Sequence, residues 1–440
     1  MSLADRYEYM LIPVLDNLIS RYQRDPEYHF IDTKINILTG EDFGENDPWY
    51  MQKGIVYPWI QGRALEALAG HYNWLDSSQV LAPSSIRKFK EALLKMMREI
   101  VDNMEQFRAR NHGRLFFLMK TDGTLLKMDE NANPVPLDQV PGEANFSDLF
   151  YSKGLWAAAA VLDDKKLMKT AEKYFKQVVK AILDETFITD QQMFDPKNPV
   201  LAVPGKLLEG TKMIALGGTA LGLKYGDRKY WEGRAVALIR RIFDRYVHTG
   251  EDTDTFRKFD FWEAVDTDGN PWIENGKLIC DPGHTLEFVG LSLKNIPEFQ
   301  TPAGIALAED LRKIYADFLR HQFGHGFAPG PGGIIKAYDL IARQPVNTDM
   351  PWWSLPETVR AAALAVRFTG DTSLAEIIRK CSDAFLGGYV REDRHSMAVQ
   401  TRNAAGEVVP VIPATPDMDP GYHTNLSIID ALPVIRELKL

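Results

Sequence analysis

Two histidines stand in closely similar settings. The stretch Cys280-Asp281-Pro282-Gly283-His284-Thr285-Leu286-Glu287-Phe288 reads as the start of a helix. Asp281 can cap free backbone N–H groups, and Pro282 suits the first helical position, where no N–H is needed. His284 then falls in the first turn, with Glu287 one turn further along the same face. Asp419-Pro420-Gly421-Tyr422-His423 opens the last helix with nearly the same lettering. Asp349-Met350-Pro351-Trp352-Trp353 opens a third, with Glu357 one turn beyond Trp353. The positive end of a helix dipole disfavours imidazolium, so both histidines are expected to be neutral and able to accept a proton. Two imidazoles facing one pocket suit proton abstraction from carbon, one acting as base and the other as acid. Glu287 is the expected orienter of His284, or a second polar contact.

Trp59 and Arg63 share a helix face at i,i+4. An indole stacking on the C–H face of a sugar beside a guanidinium that bonds its oxygens is a sugar-binding arrangement. The plain alternative makes Trp59 a core residue and pairs Arg63 with Glu66. Trp352 and Trp353 point about 100° apart on a helix, so one faces the pocket squarely and the other packs sideways. Glu357 either orients a histidine, binds a hydroxyl or pairs with Arg360. His29, His71, His112, His248 and His395 read as structural or surface residues, while His321 and His325 lie near a Gly-rich loop that approaches the pocket. Histidines so scattered make no case for zinc, and no metal is expected.

Apolar residues recur at helical spacing almost throughout, with strand-like alternation confined to loop pieces such as Arg114 to Met119. Helices are expected over 4–22, 54–74, 84–110, 146–162, 166–188, 207–224, 228–248, 283–294, 302–322, 352–369, 372–387 and 422–437. The even ones are rich in small and apolar residues, as in Ala157-Ala158-Ala159-Ala160 and Leu216-Gly217-Gly218-Thr219-Ala220. The odd ones carry charge, as in Arg87-Lys88-Phe89-Lys90-Glu91. Small residues suit an inner ring packed on every side, and a charged face suits an outer one. Each odd-to-even connection is long and most even-to-odd ones are short, which collects the long loops on one face. Six hairpins of this kind predict an all-α (α/α)6 barrel, one domain over residues 1–440, rather than an open solenoid. Segments 112–145, 250–281, 323–350 and 388–421 are expected to wall the mouth, with Phe327, Tyr338 and Trp262 contributing.

Composition narrows the partners. At 440 residues with 45% apolar and 25% charged residues, the chain has a large core, and its net charge of −9 without a basic stripe argues against nucleic acid. Two cysteines, Cys280 and Cys381, give no disulfide framework. No apolar run has membrane-spanning length, so neither a signal peptide nor an anchor is expected, and the expected setting is cytoplasmic.

The segments Trp59-Ile60-Gln61-Gly62-Arg63, Pro282-Gly283-His284-Thr285-Leu286-Glu287, Trp352-Trp353-Ser354-Leu355-Pro356-Glu357 and Tyr422-His423 together resemble the N-acylglucosamine 2-epimerase family, which includes cellobiose 2-epimerases and aldose–ketose isomerases. The resemblance implies an (α/α)6 barrel acting without a cofactor on an open-chain sugar through an enediol-type intermediate. It makes His284 and His423 the acid–base pair, with Arg63 and the tryptophans Trp59, Trp352 and Trp353 holding the sugar. The implied partner is a small-molecule mono- or disaccharide, with the chain acting alone or as a homodimer. Three positions depart from the pattern: Lys212-Met213-Ile214 lacks the sixth-helix histidine of several members, Glu274 and Lys277 occupy the region shortly before Pro282 where some isomerases carry an arginine, and Leu426 stands where arginine is frequent. Fold alone never fixes function. Such barrels also host glycosidases, for which Asp148, Asp260, Glu263, Asp281, Glu287, Asp349 and Glu357 offer paired carboxylates. A sugar-binding homologue without catalysis is the third reading.

Overall fold

Helices whose buried faces carry alanine and glycine can approach one another more closely than leucine-faced ones, and in this chain they close a ring. The computed structural model describes residues 1–192, 203–410 and 418–440. The inner helices are α2 (Pro58–Trp74), α4 (Phe146–Val161), α6 (Gly210–Tyr225), α8 (Pro282–Leu293), α10 (Ser354–Thr369) and α12 (Thr424–Glu437). Each packs on the next, and α12 returns to α2. The outer helices are α1 (Leu3–Arg24), α3 (Pro83–Arg110), α5 (Lys165–Leu183), α7 (Arg228–Tyr246), α9 (Pro302–Gly326) and α11 (Ala375–Gly388). This is an (α/α)6 barrel. Ala158, Gly217, Ala362 and Ile428 are buried, while Lys88, Lys166 and Arg312 are exposed, as the inner and outer assignments require.

The α2–α4 contact shows the role of the small residues. A Cβ on Gly154 would overlap the carbonyl of Gly62, and one on Gly62 would overlap the backbone at Phe150. The two helices therefore meet backbone to backbone, which brings Arg63 beside Phe150 at the ring's interior.

The long odd-to-even connections are joined to one another by two- to four-residue strands. Ile55–Val56 pairs with Leu118–Lys120, Leu207–Leu208 with Ala264–Val265, Ile279–Cys280 with Ala337–Asp339, and Met350–Pro351 with Thr401–Arg402. These ladders tie neighbouring loops together at the inner-helix N-termini. Parts of two connections, 193–202 and 411–417, lie outside the described residues. No helix among the described residues is long and apolar enough to cross a membrane.

Two of the three expected caps form. Asp281 Oδ1 accepts from Gly283 N at 2.9 Å and His284 N at 3.3 Å. Asp419 accepts from Tyr422 N and Thr424 N, both at 2.9 Å, because Gly421 turns through φ +91° and folds the chain back over the carboxylate. The third does not. Met350 and Pro351 are held extended by their strand pairing, so Asp349 stands off the start of α10, which has no side-chain cap.

Candidate active site

The N-termini of the inner helices surround a cavity of about 130 Å³, open to solvent. Its wall takes Ile60 and Arg63 from α2, Phe150 from α4, and Met213 and Ile214 from α6. The opposite side is formed by His284 and Glu287 of α8, Trp352, Trp353 and His423, with Lys336 and Met418 to Pro420 contributed by loops.

The two histidines flank one indole. The Trp353 ring is stacked on His284 at 5.4 Å between centroids and tilted against His423 at 5.5 Å. Each imidazole commits its Nδ1 to a carboxylate, His284 to Glu263 Oε2 at 3.0 Å and His423 to Glu357 Oε1 at 3.0 Å. No described residue bonds Nε2 of either ring, which leaves it as the open edge of both. The other oxygen of Glu357 receives a very short bond from Arg360.

The protonation of the pair is split, contrary to the expectation that both are neutral. Burial alone would depress His284, but Asp281 and Glu263 outweigh it and carry its pKa up to about 10. Asp281 Oδ2 stands 3.6 Å from the same Nδ1. A carboxylate at that range exceeds the partial charge of a helix end, which is why the dipole argument gives the wrong sign here. His423 does follow the expectation, since burial lowers its pKa to about 4. The arrangement is chemically a cationic acid facing a neutral base.

Glu287 is not the orienter of His284, a role that falls to Glu263. It lies instead within 4.8 Å of Glu357 and His423, one of its oxygens grouped with theirs. Burial and the neighbouring Glu357 raise its pKa. Glu357 combines two of its three alternatives, orienting His423 and pairing with Arg360.

Arg63 extends over Phe150, with Cζ 4.2 Å from the ring centroid and 5.4 Å from that of Tyr422. Its buried Nε has no hydrogen-bond partner among the described residues. Glu66, its alternative partner, pairs instead with the buried Lys153 at 3.4 Å. Trp59 lies behind the wall, 4% exposed, with Phe117 and Phe150 against its ring and its Nε1 donating to Asp190 Oδ1 at 3.3 Å. One residue's rotation along α2 puts Ile60 in the wall in its place. Trp352 and Trp353 both reach the cavity, Trp352 steadied by a bond from Nε1 to Thr424 Oγ1 at 3.2 Å.

Phe327, Tyr338 and Trp262 do not line the cavity. Phe327 stacks on Phe323, Tyr338 on His325, and Trp262 donates to the Arg245 carbonyl. His321 and His325 also face away, gathering beside Asp260 within 4.8 Å. The fold thus assembles a histidine–carboxylate group that the scattered sequence positions do not suggest. Arg343 occupies both oxygens of Asp260, at 2.8 and 2.6 Å. Lys336 is a site residue that sequence reasoning misses, and Glu263, offered there only as a hydrolase carboxylate, is the partner of His284. Lys336 Nζ bonds Asp281 Oδ2 at 2.5 Å and lies 5.7 Å from the Trp353 ring. Both sit in loops whose only local signal is charge.

No curated protein matches the chain. Among solved structures, a sugar epimerase from a ruminal bacterium shares the fold with TM-score 0.66 and 15% identity, over 97% of this chain and 98% of that one. A D-mannose isomerase does so with TM-score 0.64 and 13% identity, over 96% and 97%. The cellobiose 2-epimerase from Bacillus thermoamylovorans gives TM-score 0.63 and 12% identity, over 96% and 100%. The model of one family, N-acylglucosamine 2-epimerase (GlcNAc 2-epimerase), matches residues 158–424, which include α6, both histidines and the Trp352–Trp353 pair. With more than half of its length matched, the chain belongs to the N-acylglucosamine 2-epimerase family.

Proposed function

We propose that this chain is a sugar 2-epimerase or aldose–ketose isomerase that moves a proton at the carbon next to an open-chain carbonyl, through an enediol intermediate and without a cofactor. The observation that carries this reading is the pair of imidazoles flanking one indole, each with its Nδ1 already committed to a carboxylate. A proton α to a carbonyl is weakly acidic, so its removal calls for a neutral base at carbon and a donor for the developing negative charge. His423, neutral and with Nε2 free, suits the base. His284, cationic, suits the donor.

Arg63 is suited to binding substrate oxygen, because it lines the cavity and its buried Nε has no partner among the described residues. Trp352 and Trp353 offer indole faces to the sugar's C–H surface, and Glu287 offers an acceptor for a hydroxyl. If both imidazoles reach C2 from opposite faces, the carbon inverts and an epimer forms. If His423 alone reaches the carbon chain, the proton moves between C2 and C1 and the product is a ketose or aldose. In this reading the whole chain works as one barrel domain on a small-molecule sugar.

Proton transfer is favoured over hydrolysis by the state of the carboxylates. Asp148 is bonded to Arg114 and Tyr174, Asp260 to Arg343, and Asp281 to Lys336. Of the candidate carboxylates among the described residues, Glu287 alone lines the cavity, and a hydrolase needs two flanking the scissile bond. Incubation with a panel of aldoses, ketoses and β-linked disaccharides in D₂O, read by NMR, tests the proposal. Deuterium entering at C2 or C1 is the expected result. Released monosaccharide without deuterium at either carbon would favour a hydrolase, and binding without either change a non-catalytic protein.

A further inference from the structure

The side chain of Glu209 plays no part in the reading above, yet it stands against the group proposed to donate the proton. Glu209 immediately precedes α6. Its backbone N donates to the Glu263 carbonyl at 3.1 Å and its own carbonyl accepts from Lys212 N at 2.8 Å, so it is held from both sides. The residue is wholly buried, and neither carboxyl oxygen has a hydrogen-bond partner among the described residues. Oε1 lies 3.7 Å from His284 Nδ1. A carboxyl oxygen of Glu209, one of Glu263 and that nitrogen all fall within 4.8 Å of one another.

Several charged groups meet here. Glu263 comes from the α7–α8 connection, Asp281 and Glu287 from α8, Lys336 from the α9–α10 connection, and Lys212 from the first turn of α6. Asp281 and Glu263 already supply two negative charges opposite His284 and Lys336. A third carboxylate here, buried and without a hydrogen-bond donor among the described residues, would be offset only by the field of Lys212, whose Nζ bonds the Leu208 carbonyl at 3.0 Å instead. A neutral acid has one O–H to satisfy, and a Glu263 carboxylate oxygen within 4.8 Å is an acceptor it can turn toward. Each Glu263 oxygen receives one bond, from Asp281 N at 3.1 Å and from His284 Nδ1 at 3.0 Å, and keeps a lone pair.

We propose that Glu209 is a positioning residue for His284, held as the neutral acid with its O–H turned toward Glu263. Burial and the charge of Glu263 push the Glu209 pKa well above the carboxylate range, which agrees. By drawing charge on Glu263 away from the imidazolium, the donated hydrogen bond leaves His284 readier to release its Nε2 proton. The electron pair of that N–H stays on Nε2, and the Nδ1 proton stays with the ring. The proposal rests on the reading of His284 as the donor, but its test needs no turnover.

Side-chain nitrogen resonances of His284 in the ¹⁵N-labelled full-length chain, followed through pH without sugar, decide it. Glu209→Gln retains an N–H donor and is expected to titrate within about half a pH unit of the parent. Glu209→Met retains bulk but no donor, and is expected to raise the midpoint by about one pH unit, the scale of one hydrogen bond. A midpoint lowered by about one unit or more in Glu209→Gln would make Glu209 an anionic counter-charge, and no change in either variant would make it filler. Either result overturns the proposal. Should Glu209→Met fail to fold, infrared spectra of the parent and Glu209→Gln still decide, since a protonated carboxyl band lost in Glu209→Gln is expected and its absence from the parent refutes. On an active sugar, kcat should fall about tenfold in Glu209→Met, with KM within about twofold. A parent with no turnover on any sugar would count against the proposed function, while the titration would still decide the role of Glu209.

Discussion

Replacing Glu357 by Gln changes one atom and should reverse the usable edge of His423. Glu357 Oε1 accepts from His423 Nδ1 at 3.0 Å while Oε2 takes a very short bond from Arg360. A glutamine has one oxygen and one NH₂. Arg360 is buried and donates only, so it claims the oxygen, which turns the NH₂ toward His423. Nδ1 must then accept, the ring proton moves to Nε2, and the lone pair is lost from the edge facing the cavity. Restoring the productive tautomer means giving up the charge-assisted bond to Arg360, which costs about 1.5–3 kcal/mol. At about 1.4 kcal/mol per factor of ten, the turnover of Glu357→Gln should fall roughly 10- to 150-fold. Proton-exchange rates at the sugar carbon measure the loss, and ¹⁵N shifts of the His423 ring report the tautomer directly. A rate within about threefold of the parent, with the Nδ1–H tautomer intact, would refute the reasoning.

Arg63→Lys should fold normally, since no ion pair is lost, yet raise KM about tenfold or more, because a point charge cannot replace a planar fork; a near-parental KM would show that only charge matters. The pH profile of kcat/KM should hold a broad plateau, falling below about 4 as His423 gains a proton and above about 10 as His284 loses one. The linked stability has a definite sign. With its pKa raised from 6.5 to about 10, His284 contributes stability that is complete below 6.5 and lost as pH climbs through 10, which thermal unfolding across that window checks. His423, lowered to about 4, acts at the other end and erodes stability as pH falls from 6.5 toward 4. Trp59→Ala should cost about 3–5 kcal/mol of stability as a core deletion, whereas Trp59→Phe should lose stability through the bond to Asp190 and leave KM within about twofold. A KM rise in Trp59→Phe larger than its stability loss explains would return Trp59 to the sugar site.

The ring of helices is readable from sequence because two independent signals agree, small residues on even helices and long connections after odd ones. The positions of His284 and His423 are readable because Asp281 and Asp419 are local caps, and local geometry needs no tertiary information. Asp349 misleads because Met350–Pro351 pairs with Thr401–Arg402 across another loop, a contact without a local signature. The same limit hides Lys336 and the role of Glu263, whose side chains reach the site only because strands join their loops to α8's approach. The charge on His284 escapes sequence reasoning for a related cause. The dipole belongs to the helix and can be read from it, but Glu263 arrives from the preceding connection and, with Asp281, overrides it.

The central claim is that His284 and His423 together carry the proton, and the double variant His284→Ala/His423→Ala tests it most directly. The measurement is the rate at which solvent deuterium enters C2 or C1 of a sugar that the parent converts, compared across the parent, both single variants and the double variant. Each single variant should lose about 10²-fold or more, the lower range for general acid–base catalysis. The double variant should fall little further, because a base without its acid already leaves the transfer incomplete. Deuterium entering at the parental rate in the double variant would contradict the account.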